Sequence, residues 1–454
     1  MEPGADAHFD EGFGFLDQRD YGRAEGCFRA ALAAAPDFLE AQVNLAWTLE
    51  QRGALAQAEH AYLRALELDP ACLEALRNLA VLLVGQKRFQ EALPLYDQLL
   101  THHPESPAVW SNLGALKVGL GQEAEAEACF RRALALDPRY ARASFNLSYL
   151  LLRRGEYEEG WAAHKAGERA ATTFHFPFPE WQGGDLAGQA LLIGPEGGHG
   201  DMIQFCRYAA LLKARGASRV GLLCHPALKR LFASLDGVDE VLGLDTGLPE
   251  AGWDRWTLPL SLPLHCGTRL ESIPTALPYL HPRPELVEAW RPRLPQGGLR
   301  VGLVWKGDPR FETDGDRSLG SLTDLAPLWA VPGVSFVSLQ KGEGEGEAMN
   351  PPLDQPLVEL GSQVEDFADT AAIMASLDLV ITVDSAAAHL AGALGKPCWV
   401  LLPAYRTDWR WLTGRGDAPW YPGVLRLFRQ GEDGNWSGVV RDVAAALGGL
   451  AWLD

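Results

Sequence analysis

The chain has 454 residues, 47% hydrophobic and 22% charged, which predicts about three domains with buried cores and excludes a wholly disordered polymer. Lys and Arg number 40 against 59 Asp and Glu, and a net charge of −19 would repel a polyanion, so general nucleic-acid binding is not expected. The opening MEPGADAHFDEGFG has no basic region followed by an apolar core, and no window reaches the roughly 18 uninterrupted apolar residues of a membrane helix; both point to a soluble cytoplasmic protein without membrane insertion.

The first elements repeat. Pro36, Pro70, Pro104 and Pro138 recur every 34 residues, and in the same register fall small residues at Gly12, Ala46, Ala80 and Gly114, alanines at Ala24, Ala58, Ala92 and Ala126, and aromatics at Phe28, Tyr62, Tyr96 and Phe130. Small residues let two antiparallel helices approach, the aromatic fills the gap to the next repeat, and proline opens the turn between repeats. The pattern resembles the tetratricopeptide (TPR) consensus and predicts a helical superhelix over residues 1–172. A degenerate fifth repeat keeps Asn146, Leu147 and Ser148 in register but has Gly160 and His164 where the alanine and aromatic belong, so it is read as a cap.

A polar column runs through the array: Asn44, Asn78, Asn112 and Asn146, preceded by Asp10. An amide both donates and accepts, so such a column can pair with the backbone of an extended acceptor peptide; bonding within the array or to water is the alternative. It is similar to the asparagine ladder of eukaryotic O-linked N-acetylglucosamine transferase, which implies an acceptor-protein partner.

Beyond the aromatic, proline-rich stretch near residue 172, short apolar runs alternate with helical segments. The first series has strands at 189–194, 219–224 and 239–244 with helices at 201–215 and 226–235. HPRPELVEAWRPRLPQG (281–297) reads as a linker, and a second series follows with strands at 300–307, 335–342, 357–360, 378–385, 397–403 and 425–430. Two Rossmann-like lobes, 173–290 and 291–454, are expected, with ligands beyond the carboxyl ends of their strands. That layout resembles the GT-B glycosyltransferases, giving an α plus α/β fold overall.

Several residues at those strand ends can carry chemistry. In LVITVDSAAAHLAGALGKP a buried strand runs into Asp384, Ser385 opens a helix at Ala386 and Gly395 closes it; the free N–H groups of such a terminus suit a diphosphate, and His389 could add a donor. A capped structural helix is the alternative. The segment resembles the diphosphate-gripping motif of ADP-heptose:lipopolysaccharide heptosyltransferases, although Ala386 replaces the glycine there. In the loop Gly194-Pro-Glu-Gly-Gly-His-Gly-Asp201, Asp201 matches the family's aspartate, which implies a base for the acceptor hydroxyl, with His199 as second candidate; capping of its own helix is the other reading of Asp201. Lys306, with Arg310 and Arg317 behind it, could neutralise a leaving diphosphate, and Gln340 and Lys341 could meet a base or ribose. Trp409 and Arg410, in the run Asp408-Trp409-Arg410-Trp411, could stack on a sugar or nucleobase, or pack the core.

No metal or other cofactor is expected. Asp314-Gly315-Asp316 only superficially resembles a D-x-D metal motif, and the seven cysteines are scattered without any C-x-x-C pair. Residues 180–447 resemble a bacterial family of TPR proteins with a glycosyltransferase-like region: Glu196 to Tyr208, Ser338 to Gly342, Asp366 to Thr370, Val383 to Pro397 and Asp408 to Leu412 carry its motifs. The resemblance implies an inverting, metal-independent glycosyltransferase that moves a sugar from a nucleotide-sugar to a protein hydroxyl. A TPR adaptor with a vestigial nucleotide-sugar domain, and a transferase acting on a surface glycan, are the rival readings.

Overall fold

The computed structural model describes residues 4–168, 176–431 and 433–451. Its first part is a succession of helix pairs: α1 (Ala5–Asp17) with α2 (Tyr21–Ala34), α3 (Leu39–Gln51) with α4 (Leu55–Leu68), α5 (Leu73–Gly85) with α6 (Phe89–His102), α7 (Pro107–Gly119) with α8 (Glu123–Leu136), and α9 (Ala141–Arg153) with α10 (Tyr157–Glu168). The repeating columns explain the packing. Phe28, Tyr62, Tyr96 and Phe130 are all buried, each ring contributing about 2–3 kcal/mol by burial. A Cβ added to Gly12 would meet the Phe28 ring at 2.8 Å, and one on Gly114 would meet Phe130 at 2.4 Å, so the small-residue column is the socket for the aromatic column.

The α/β part contains β1 (Ala190–Ile193), α11 (His199–Phe205), α12 (Tyr208–Ala214), β2 (Arg219–Cys224), α13 (Pro226–Phe232), β3 (Glu240–Gly243), β4 (Arg255–Thr257), α14 (Leu262–His265) and α15 (Pro284–Trp290). It continues with β5 (Leu299–Val304), α16 (Asp314–Arg317), β6 (Val334–Ser338), α17 (Glu345–Met349), β7 (Val358–Glu359), α18 (Phe367–Ala375), β8 (Leu379–Val383), α19 (Ala386–Ala393), β9 (Cys398–Leu402), β10 (Leu425–Arg429) and α20 (Trp436–Ala451). The strands form two sheets, ordered β3-β2-β1-β4 and β10-β9-β8-β5-β6-β7, and every pairing between them is parallel. β8 and β9 are buried along their whole length, as central strands covered on both faces must be.

Two local features depart from the expected elements. The helix expected over 201–215 is two helices, because Arg207 turns its guanidinium back onto the Gln204 carbonyl (Nε–O 2.7 Å) and competes for a helical acceptor. β4 was not anticipated; its three residues pair with β1 and complete the first sheet.

The chain divides into two compact units. The first holds the chain up to Leu147 together with the end of α10 from Ala166; the second holds Ser148–Lys165 and both sheets. The boundary expected at residue 172 lies outside the described residues. Within the second unit one apolar core is continuous from Leu191 and Met202 through Ala388 and Val400 to Trp420. The Ser148–Lys165 segment is built into that core: Trp161 meets Trp409 edge-on at 5.0 Å and Phe205 at 6.1 Å, and the Trp420 indole donates to the Tyr157 hydroxyl at 3.0 Å. The backbone N–H of Thr413 also donates to the Arg153 carbonyl at 3.1 Å.

Candidate functional site

In each sheet the strand order reverses once, between β1 and β4 in the first and between β5 and β8 in the second. Crevices for ligands form at such points, beyond the carboxyl ends of the strands. The segments emerging there are the glycine-rich loop after β1, Lys306 after β5, and Asp384-Ser385 after β8.

The helices that leave β1 and β8 lie against one another. A Cβ on Gly200, in the first turn of α11, would sit 2.8 Å from His389 Cδ2 and 3.4 Å from Ala386 Cα, so only glycine permits this approach. Ser385 is the N-cap of α19, accepting from the Ala387 N–H at 3.3 Å, while its hydroxyl lies 3.0 Å from that of Thr382. At the other end Gly395 takes φ +67°. Asp201 is not the N-cap of α11, which is Gly198; it stands three positions further in and accepts from the Gly198 N–H at 2.7 Å through Oδ2. Its Oδ1 accepts from Nη2 of Arg410.

Arg410 ties these pieces together. It is buried, with Nε donating to Gln204 Oε1 at 2.6 Å and Nη1 to both Asp408 oxygens at 3.0 Å, so every side of the guanidinium is engaged by protein. Asp384 is buried nearby. Burial, with the Asp408 carboxylate adding to it and Arg317 opposing, pushes its pKa up to about 6. His389 is buried too, its Nδ1 2.9 Å from the Tyr421 hydroxyl and its ring stacked on Trp411 at 5.3 Å. Burial and then Arg410 hold its imidazole well below the ordinary range, so the ring is neutral at physiological pH.

His199, the first residue of α11, stands apart from that cluster. Its ring lies 5.0 Å from those of His225 and Phe367, and its nitrogens form no hydrogen bond among the described residues. Burial, reinforced by His225, lowers its pKa. Lys306 Nζ pairs with Glu347 at 3.0 Å and Glu343 at 3.6 Å. Gln340 is buried with its amide spent on backbone: Oε1 accepts from Trp305 and Lys306 N–H, and Nε2 donates to the carbonyls of Lys306 and Glu343. No lone pair or proton of that amide is left for a base or ribose. Lys341 donates to the Ser362 carbonyl at 3.0 Å. Trp409 is a core residue whose ring contacts Trp161 and Trp420, so its faces are covered by protein. Asp314, of the superficial D-x-D resemblance, is buried in α16 and accepts from Ser318 Oγ at 3.0 Å and Arg317 Nε at 3.3 Å. No group of three or more metal-ligating side chains occurs among the described residues.

The column Asn44, Asn78, Asn112, Asn146 falls on α3, α5, α7 and α9, each residue half-buried. Asn44 donates back to the Glu40 carbonyl of its own helix at 2.8 Å, and the Asn78 oxygen lies 3.4 Å from Arg77 Nε. Sequence reasoning did not single out Gln204, Asp408 or Tyr421 for this cluster. Gln204 and Asp408 belong to motifs already noted, and their spacing with Asp201 and Arg410 was the available signal.

Comparison with known proteins agrees with the array. Residues 9–71 match the tetratricopeptide repeat family, and residues 76–231 match the middle TPR-like domain of cilia and flagella-associated protein 70. Protein FlbA of Caulobacter vibrioides is 30% identical over 337 residues, which cover 68% of this chain and 55% of that protein; the chain thus spans just over half the relative's length. Among solved structures, PilF of Pseudomonas aeruginosa is 24% identical, over 37% of this chain and 78% of that one, with a TM-score of 0.35. PilW, described as a type IV pilus biogenesis factor, is 21% identical over 38% of this chain and 79% of its own, also at 0.35.

Proposed function

We propose that the combination of an N-terminal TPR array with an α/β part carrying two parallel sheets is a glycosyltransferase of the GT-B type, moving a sugar from a nucleotide-sugar to a hydroxyl of a protein held by the array. No described helix is long and apolar enough to cross a membrane. The observation that carries the reading is the junction of α11 with the N-terminus of α19 at Gly200 and Ala386. It brings the first turn of α11, which follows the β1 loop, against the N-terminus of α19, whose dipole and Ala386 N–H would stabilise a leaving diphosphate without a cation. His199 serves as general base, since its imidazole is uncommitted and neutral, while Asp201, with Arg410, fixes the start of α11. Lys306, two residues beyond the end of β5 and paired with Glu347, supports the departing nucleotide.

Calorimetry with UDP, GDP, ADP, CDP and CMP tests this on the intact protein and on Lys306→Ala and Ala386→Glu. One nucleotide should bind, and both variants should weaken it by at least about tenfold. Binding of none would remove the reading.

Two observations favour a second reading. Both oxygens of Asp201 are already engaged, and Ala386 adds a methyl at the helix start. Both features suit a TPR adaptor that retains a nucleotide-sugar without turning it over; such a protein binds nucleotide and peptide but transfers no sugar.

A further inference from the structure

The solvent face of the first helices of the array carries three columns, not one. On α1 they are Asp6, Asp10 and Phe13; on α3, Glu40, Asn44 and Trp47; on α5, Glu74, Asn78 and Val81. Spacings of four and then three residues put each trio on one helix face. The face is open: Asp6, Asp10, Glu40 and Glu74 are exposed, Phe13 is 48% and Val81 41% exposed, and Trp47 is half-buried. Further along, the acidic column gives way to Ala108 and Arg142.

The carboxylates of this face differ from the others in the array. Glu25, Glu59, Glu91 and Glu127, on the second helices, are paired with arginines. Asp6, Asp10, Glu40 and Glu74 hold no ion pair among the described residues. An acidic column beside an amide column beside an apolar column is complementary to an extended chain with basic side chains on one edge, backbone amides in the middle and apolar side chains on the other.

We propose that α1, α3 and α5 bind an extended segment of a partner protein in which basic and apolar residues alternate with small polar ones. Packed helices lie about 8–10 Å apart, and a chain in the polyproline II conformation advances about 3.1 Å per residue with three residues per turn, so every third side chain returns to the same edge and the match recurs every third residue. Calling this segment the glycosyl acceptor rests on the proposed transferase activity; the binding itself does not.

The test is fluorescence anisotropy of the full chain with labelled peptides of about fifteen residues. One repeats Leu-Ser-Lys; the controls repeat Leu-Ser-Glu and Ser-Ser-Lys. The first should bind at least about tenfold more tightly than either control, Glu40→Lys with Glu74→Lys should cost about tenfold, and Phe13→Ser with Val81→Ser a similar factor. These side chains are exposed, so the variants should keep the parent circular dichroism and melting temperature. Equal binding of the Glu peptide, no binding of any peptide, or indifference to the charge-reversed variant would overturn the proposal. Nucleotide calorimetry on the same variants separates the two questions: unchanged nucleotide binding with absent peptide binding defeats this surface alone.

Discussion

Gly200 lies directly against His389, and a single methyl group on the glycine would come within 2.8 Å of the imidazole Cδ2. The ring cannot retreat, because Tyr421 holds its Nδ1 and Trp411 covers its face. Gly200→Ala should therefore cost about 1–3 kcal/mol by overpacking and weaken any ligand at the α19 N-terminus. Urea unfolding and nucleotide calorimetry check both parts; a variant with parent stability and parent affinity would show that α11 and α19 are not in this contact.

Arg410→Ala should be far more disruptive than an exposed arginine. It would leave Asp201 and Asp408 without their shared cation beside Asp384, at a cost of about 3–5 kcal/mol. Pairing it with Asp201→Asn should recover part of that loss in a double-mutant cycle on chemical denaturation.

The two buried titrating groups give opposite pH dependences of stability. His389 is neutral in the folded protein, with a pKa well below 6.5, so its contribution is complete above about pH 6.5 and is lost as pH falls toward the depressed value. Asp384 has its pKa raised from 3.8 to about 6, so it favours the folded state at low pH and costs stability as pH rises through 6. Thermal melts from pH 4 to 8 should show His389→Gln flattening the acid side. Asp384→Asn should raise stability above pH 6, on the order of 2 kcal/mol, with little gain near pH 4.

If His199 is the general base, transfer should rise with pH and level off, with a midpoint below the ordinary imidazole value of 6.5. His199→Asn should lower kcat/KM by about 10²–10⁴ while leaving nucleotide affinity within a few fold. A bell centred in the alkaline range, or a midpoint unmoved by His199→Asn, would assign the base elsewhere.

The helix pair at the end of the array should behave as part of the α/β unit. Trp161 is 1% exposed, and Trp161→Ala should cost about 3–5 kcal/mol. A chain beginning at Ser148 should melt cooperatively, and one beginning at Phe176 should not. Circular dichroism melts of the two decide it.

The helical array was plainly legible, because a 34-residue period aligns ring, socket and turn in the sequence itself. The strands of the second sheet were legible for a similar reason: in runs such as Leu379–Val383 every residue is apolar or β-branched. β4 was not, since three residues with one buried side chain leave no pattern, and it is pairing with β1, with a further bridge from Glu180 to Trp256, that makes Arg255–Thr257 a strand. At the site, sequence patterns marked Asp201, Ser385, His389 and Arg410, but not how they meet. Arg410 lies 209 positions from Asp201, and only the fold brings its guanidinium to that carboxylate. Gln340 shows the converse limit: a polar residue at a strand end reads as a ligand contact until its four backbone bonds are seen.

The place where the chain divides, after Leu147, falls inside α9 and not at the end of the last repeat. Helix pairs before that point contact chiefly their immediate neighbours, so their number is a variable the chain can change in steps of 34 residues without reopening the α/β core. The pair at 148–165 has no such freedom. Lengthening or shortening the array is thus an operation on residues before Leu147 alone: the array can be cut like a measuring tape, but not from its riveted end.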